Sequence, residues 1–221
     1  MSQMELFEAH QQNEPDIALP DTLPAIQRWL NTADNPADAF FAAVYAQMSE
    51  LPIKAEISRF IEKVNKADDS TAAARIACDR GDPDTAAVLK AAGKVQVEVH
   101  RITGFLRFSP DSQGVYTARC EPDYFVLPAL AEHFTLRFGE TPWAIIDEKR
   151  GLCLCRKNGG EARIMPALAP SADSAAKNRS GDCWGDLWRL YHRSVSNEGR
   201  KNVNLQRKFM PKRYHKHLNE L

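Results

Sequence analysis

Apolar residues recur three and four positions apart through most of the first hundred residues, the periodicity of amphipathic helices. The pattern predicts a short helix over 22–31 (TLPAIQRWLN), with Thr22 as N-cap and Pro24 in its first turn. A second follows in DNPADAFFAAVYAQMSEL, where Phe40, Phe41, Val44 and Tyr45 share a face. Beyond Pro52, EISRFIEKVNKA carries Ile57, Phe60, Ile61 and Val64 on one stripe. The segment STAAARIACDRGDPDTAAVLKAAGKVQVEVHRITG reads as two helices parted at 81–83, the second capped by Asp82 or Asp84. Its stripe is Val88, Ala92, Val95, Val99 and Ile102. At Gly104 the period changes. FLRFSP and GVYTARCEP read as strands around a hairpin loop at 111–114, with Arg107 and Arg119 between apolar neighbours. DYFVLPALAEHFTLRFG is helical despite Pro128. WAIIDEKRG, LCLCRKN and EARIM then give two or three further strands, joined by turns at DEKRG and NGGE.

Helices, an αββαββ(β) middle and a helical end predict an α+β fold: a helical N-terminal half and a small antiparallel sheet with helices against one face. The expected divisions are a flexible leader (1–20), a helical region (21–83), an α+β core (84–166), a Pro/Ala/Ser linker (167–182) and a basic helical segment (183–221). There is no internal repeat.

Charge changes this picture more than composition does. The chain has 29 basic and 29 acidic side chains, so it is formally neutral. Residues 1–100 nevertheless sum to −7, and the segment from Arg189 onward sums to +7. A concentrated cationic end on a neutral chain implies a local anionic partner, nucleic acid being the commonest, or else a solvated helical face. The N-terminal MSQMELFEAHQQNEPD is acidic and polar and no long apolar run occurs, so a cytoplasmic protein is expected.

Five cysteines (78, 120, 153, 155 and 183) are an odd count and imply free thiols. Cys153 and Cys155 share one face of a strand, where small apolar packing is the expectation. No CxxC pair, HExxH, GxSxG or glycine-rich phosphate loop occurs, so no metal site and no cofactor is expected.

Three stretches carry candidate chemistry. EVHRITGFLRF groups Glu98, His100, Arg101 and Arg107 about Gly104, where Arg101 and Arg107 could grip an anion or merely form surface ion pairs around a helix end. EGRKNVNLQRKFMPKRYHKHLNEL offers Arg200, Lys201, Arg207, Lys208, Lys212 and Arg213 for phosphates. Asn202 and Gln206 add amides, and Phe209 and Tyr214 add rings for stacking. The same residues also suit a terminal helix packing Leu205, Phe209, Tyr214 and Leu218 on a core. Third, Glu121, Asp123 and His133, with His100, are the materials of acid–base catalysis if the fold brings them together. In WGDLWRLYHRS, Trp184, Trp188 and Tyr191 read as core packing.

EVHRITGFLRF, EPDYFVLPALAEHFTLRF with WAIIDEKRG, and GRKNVNLQRKFMPKRYHKHL together resemble a family of probable DNA metabolism or putative DNA repair proteins, over roughly residues 84–221. Its members are typically encoded beside a radical-SAM protein, and related domains are fused to uracil-DNA glycosylase-like domains. The resemblance implies a DNA-binding accessory protein in repair or base modification, with DNA and a radical-SAM protein as partners. It carries no catalytic residues. The alternative is an enzyme acting on a nucleic-acid base or nucleotide.

Overall fold

In a computed structural model the described residues are 37–111, 114–157, 159–167, 183–200 and 202–218; side chains at 37–41, 183–185, 198, 203, 207, 208 and 213 are not among them. The expected leader, the 22–31 helix and nearly all of the linker lie outside these residues. Seven α-helices are described: α1 (Ala37–Met48), α2 (Lys54–Asn65), α3 (Ser70–Cys78), α4 (Pro83–Phe105), α5 (Leu127–Phe138), α6 (Cys183–Val195) and α7 (Val203–Phe209). Five strands, β1 (Ser109–Pro110), β2 (Tyr116–Cys120), β3 (Trp143–Asp147), β4 (Leu152–Arg156) and β5 (Arg163–Pro166), make one sheet in chain order. The fold is α+β. No described helix is long and apolar enough to cross a membrane.

The described residues form two compact units, 37–100 with 123–128, and 101–122 with 129–218. In the first, Ala42, Ala43, Ala46, Ile57, Phe60, Val64, Ala73, Ala77, Val88, Ala91 and Ala92 form the core. The small alanines let the helices approach closely, and the larger Phe60 and Ile57 fill the space between them. Asp69 caps α3 by accepting from the Ala72 N–H at 2.7 Å. Asp82 caps α4 by accepting from the Thr85 N–H at 2.9 Å, which settles the choice between the two aspartates. Asp84 instead faces α2, accepting from Arg59 Nη2 at 2.8 Å and Lys63 Nζ at 2.9 Å. Hydrogen bonds from Arg59 and Lys63 hold its carboxyl at about 2. That lies below the ordinary value of about 3.9, so the pair's contribution to stability is full above roughly pH 4 and is lost as pH falls through about 2. Arg59→Gln is expected to raise the Asp84 midpoint, and with it the midpoint of acid unfolding. Carboxyl NMR titration and circular dichroism against pH check both.

The second unit holds the sheet, which differs from the expected antiparallel one in a single pairing. β2 and β3 are parallel, with Tyr116 opposite Trp143 and Cys120 opposite Asp147, while the other three pairings are antiparallel. The cause is α5, which lies between β2 and β3 in the chain and returns it to the end where β2 began. Trp143 is fully buried against Phe134 and Phe138, and Phe108 joins the same ring cluster. Ala144, Ile146, Cys153, Cys155, Val115 and Met165 form a second cluster, so the two strand cysteines are small core residues. The hydrogen bond between them and burial keep the Cys153 thiol protonated.

Two local readings are corrected. α4 runs through Gly104 to Phe105, and a Cβ at Gly104 would meet nothing within 4 Å. That glycine serves no turn and no close approach. FLRFSP is therefore helix end and loop rather than strand; β1 is only Ser109–Pro110. Phe105 and Leu106 are carried to the core by the helix instead.

Candidate functional site

The basic end is anchored by two buried side chains. Tyr214 is 3% exposed, with its ring 5.3 Å from that of Phe105, and Leu218 is buried nearby in the chain. Residues Lys212–His217, Tyr214 among them, wind as a 3-10 helix against β2. Asn202 caps α7 by accepting from the Leu205 N–H at 2.9 Å. Pro211 stands immediately before that 3-10 helix.

This anchoring delivers Lys216 and His217 to the end of β2. Lys216 pairs with Glu121, and its Nζ lies 3.5 Å from Glu148. Arg119 donates to Glu148 at 3.1 Å. The position of Glu148 follows from its neighbour Asp147, which is buried and accepts from the N–H groups of Lys149 and Arg150 at 3.0 and 3.1 Å. Asp147 thereby closes a turn that ends at Gly151 with φ 63°, a conformation a side chain would strain. The Glu148 N–H donates to Cys120 O at 2.9 Å, extending the β2 edge so that Glu148 and Glu121 stand together.

Carboxylate oxygens of Glu121 and Glu148 and a ring nitrogen of His217 all lie within 4.8 Å of one another. Beside them Ile102, Phe105, Leu106, Arg119, Cys120, Tyr214 and His217 line a shallow cleft. Burial, and then the Lys216 charge, push the His217 pKa down, so its ring is neutral near pH 7. Its Nε2 is buried with no hydrogen-bond partner among the described residues. Burial raises the Glu148 carboxyl, but the Arg119 hydrogen bond and the neighbouring positive charges outweigh it and hold the group below its usual range. Two carboxylates and a neutral imidazole could hold a divalent cation, and the Lys216 ammonium stands where that ion would compete. Replacing Lys216 with Met is expected to raise the Glu148 midpoint while leaving it below its ordinary value, since one of its neighbouring cations is gone and the Arg119 hydrogen bond remains. Carboxyl NMR titration reads the shift, and an unmoved midpoint overturns this account.

The remaining sequence candidates fall in several places. His100 and Asp123 belong to the first unit, Glu121 and His133 to the second. The histidine beside Glu121 is thus His217, which the sequence patterns did not single out. His133 is exposed on α5 with its ring edge on Phe134. Arg101 is half-buried at the end of α4. Arg107 donates to Gly104 O at 2.9 Å and lies 5.1 Å over the Trp188 ring, so it braces α6 as a local clamp. Arg200, Asn202, Gln206 and Lys212 are exposed. Lys201 and the side chains of Arg207, Lys208 and Arg213 lie outside the described residues. Tyr214, expected to stack on a base, has its ring in the core instead. Leu205 and Phe209 are exposed rather than packed, as are Trp188 and Tyr191.

A family model matches residues 54–220, about three quarters of the chain; it is DUF4130, described as a domain of unknown function. The chain belongs to that family. No curated protein and no solved structure matches it.

Proposed function

We propose that this protein is a DNA-binding accessory factor in DNA repair or base modification, working in the cytoplasm with a radical-SAM or glycosylase-type partner. One observation carries the nucleic-acid part. The C-terminal segment has a surplus of +7, and Arg193, Arg200 and Lys212 are exposed with no ion pair among the described residues. Tyr214 and Leu218 hold that segment in place, so its cations are presented on a fixed support. The part concerning repair rests on the composite sequence resemblance. Each phosphate neutralised releases counterions, so affinity should fall steeply with salt. The double variant Arg200→Gln/Lys212→Gln is expected to reduce the slope of log K against log salt by about 2, and to weaken duplex binding uniformly across sequences. Fluorescence anisotropy over a salt series measures both. Unchanged affinity and slope would remove these side chains from the interface.

A second reading, acid–base chemistry on a base or nucleotide, has one observation in its favour: Glu121 meets Glu148 and a neutral His217 beside a cleft. Incubation with oligonucleotides bearing damaged bases, with His217→Gln as control, tests it. Conversion by the native chain that the variant lacks would establish it.

A further inference from the structure

One side-chain nitrogen near the end of β2 lacks a partner. His217 Nε2 is buried with no hydrogen bond among the described residues, a state that costs free energy unless water or an ion supplies what is missing. A ring nitrogen of the same imidazole stands within 4.8 Å of carboxylate oxygens of both Glu121 and Glu148. The donors are held from behind. Tyr214 and Leu218, buried on either side of His217 in the chain, fix the imidazole. The Glu148 N–H is bonded to Cys120 O, and Arg119 donates to Glu148 Oε1 at 3.1 Å. Among the described residues, Oε2 then has the Lys216 ammonium 3.5 Å away as its neighbour. Burial and the Lys216 charge keep the imidazole neutral near pH 7, so it has a lone pair to give.

We infer that Glu121, Glu148 and His217 bind a dication of the zinc class, with Lys216 as the resident cation that it displaces. The donor set selects the ion. Imidazole nitrogen with carboxylate oxygen suits Zn2+, whereas Mg2+ and Ca2+ take oxygen ligands. Zn2+ holds such donors at about 2.0–2.2 Å, so those around one ion stand roughly 3.5 Å apart. Rotation of the glutamates closes the remaining distance, since their side chains are 39% and 30% exposed and free to turn at the surface. A water molecule completes the four-coordinate shell. Lys216 can leave, because its side chain is 47% exposed and its ammonium regains full hydration in solvent. Charge favours the exchange: the ammonium brings one positive charge to two carboxylates and the ion brings two. Arg119 remains on Glu148 and orients it toward the ion. The ligands come from the residue after β2, the β3–β4 turn and the 3-10 helix, so no local spacing motif announces them. The inference does not rest on either functional reading, because binding is measured without nucleic acid.

The test titrates the full chain, stripped with a chelator, with Zn2+ by isothermal calorimetry and with Co2+ by visible absorption. One equivalent should bind. Co2+ should give the d–d bands of a four-coordinate site without thiolate charge transfer, which separates this site from one built on cysteine. Equimolar Mg2+ should not compete. Glu121→Gln and His217→Gln should each weaken binding at least ~10-fold, and Lys216→Met should tighten it about 10-fold, one competing charge being gone. Glu121 is partly exposed, so its variant should fold even if His217→Gln does not; circular dichroism verifies both. No saturable binding at millimolar Zn2+, binding that survives both ligand variants, or thiolate charge-transfer bands would each overturn the inference. So would weaker binding by Lys216→Met.

Discussion

Glu98→Ala is expected to destabilise the helical unit by about 3–5 kcal/mol, a large effect for a single truncated side chain. Glu98 is 1% exposed near the end of α4. Its two carboxylate oxygens accept separately, Oε1 from the Asp123 N–H at 3.0 Å and Oε2 from the Tyr124 N–H at 2.9 Å. The next N–H, that of Phe125, donates to Met48 O at 3.0 Å. Three consecutive amides of a non-helical segment are thereby satisfied, and Phe125, Val126 and Leu127 enter the core fully buried. Alanine would leave two of these donors without an acceptor, each costing about 1–3 kcal/mol, and would open a void as well. Glu98→Gln retains one oxygen and should lose roughly half as much. Urea unfolding measures the totals, and hydrogen exchange at Asp123 and Tyr124 localises them. A loss below about 1 kcal/mol in Glu98→Ala would mean that water reaches these amides and that the carboxylate is not their essential partner.

Glu98 also illustrates what the sequence disclosed. The three-four spacing was enough to place α2, α3 and α4, because each buries a stripe (Ile57, Phe60 and Val64 in α2) against neighbours of the same kind. Turn chemistry marked 147–151, where Asp147 and Gly151 do what those residue types do in tight turns. The parallel pairing of β2 with β3 was hidden, since alternation along a strand says nothing of the direction of its neighbour; only the intervening α5 does. Gly104 misled because an exposed glycine inside a helix costs only about 1 kcal/mol and long helices tolerate it. In α6 the amphipathic pattern was correct and its consequence was not. Periodicity identifies an apolar face, but whether the same chain covers that face depends on tertiary structure. The cluster of Glu121, Glu148, Lys216 and His217 was least legible: Lys216 and Glu148 lie 68 residues apart, and single charged residues in a charged sequence carry no pattern.

Tyr214→Ala is expected to release the basic end while leaving the sheet intact. Among the described residues from Asn202 onward, Tyr214 and Leu218 alone are buried, so one aromatic ring makes up most of the apolar anchorage of a segment otherwise in water. Truncating a buried aromatic ring costs about 3–5 kcal/mol. The exposed ion pairs of Lys216 cannot offset such a loss, because pairs of that kind contribute about 0–1 kcal/mol. The loss should be local, since β3 and β4 draw their stability from the Trp143, Phe134 and Phe138 cluster rather than from Tyr214. Native-state hydrogen exchange should therefore show protection falling by a factor of about 100 or more across α7 and the 3-10 helix, with Ile145 unchanged. If the cationic end contacts DNA as a fixed surface, affinity falls with it, because the released segment pays an ordering cost on binding. Tyr214→Phe, which keeps the ring, should retain both protection and affinity. A Tyr214→Ala variant that unfolds cooperatively, with Ile145 losing protection in step, would instead make the basic end an integral part of the sheet unit, and the picture of cations carried on a separately detachable segment would fail.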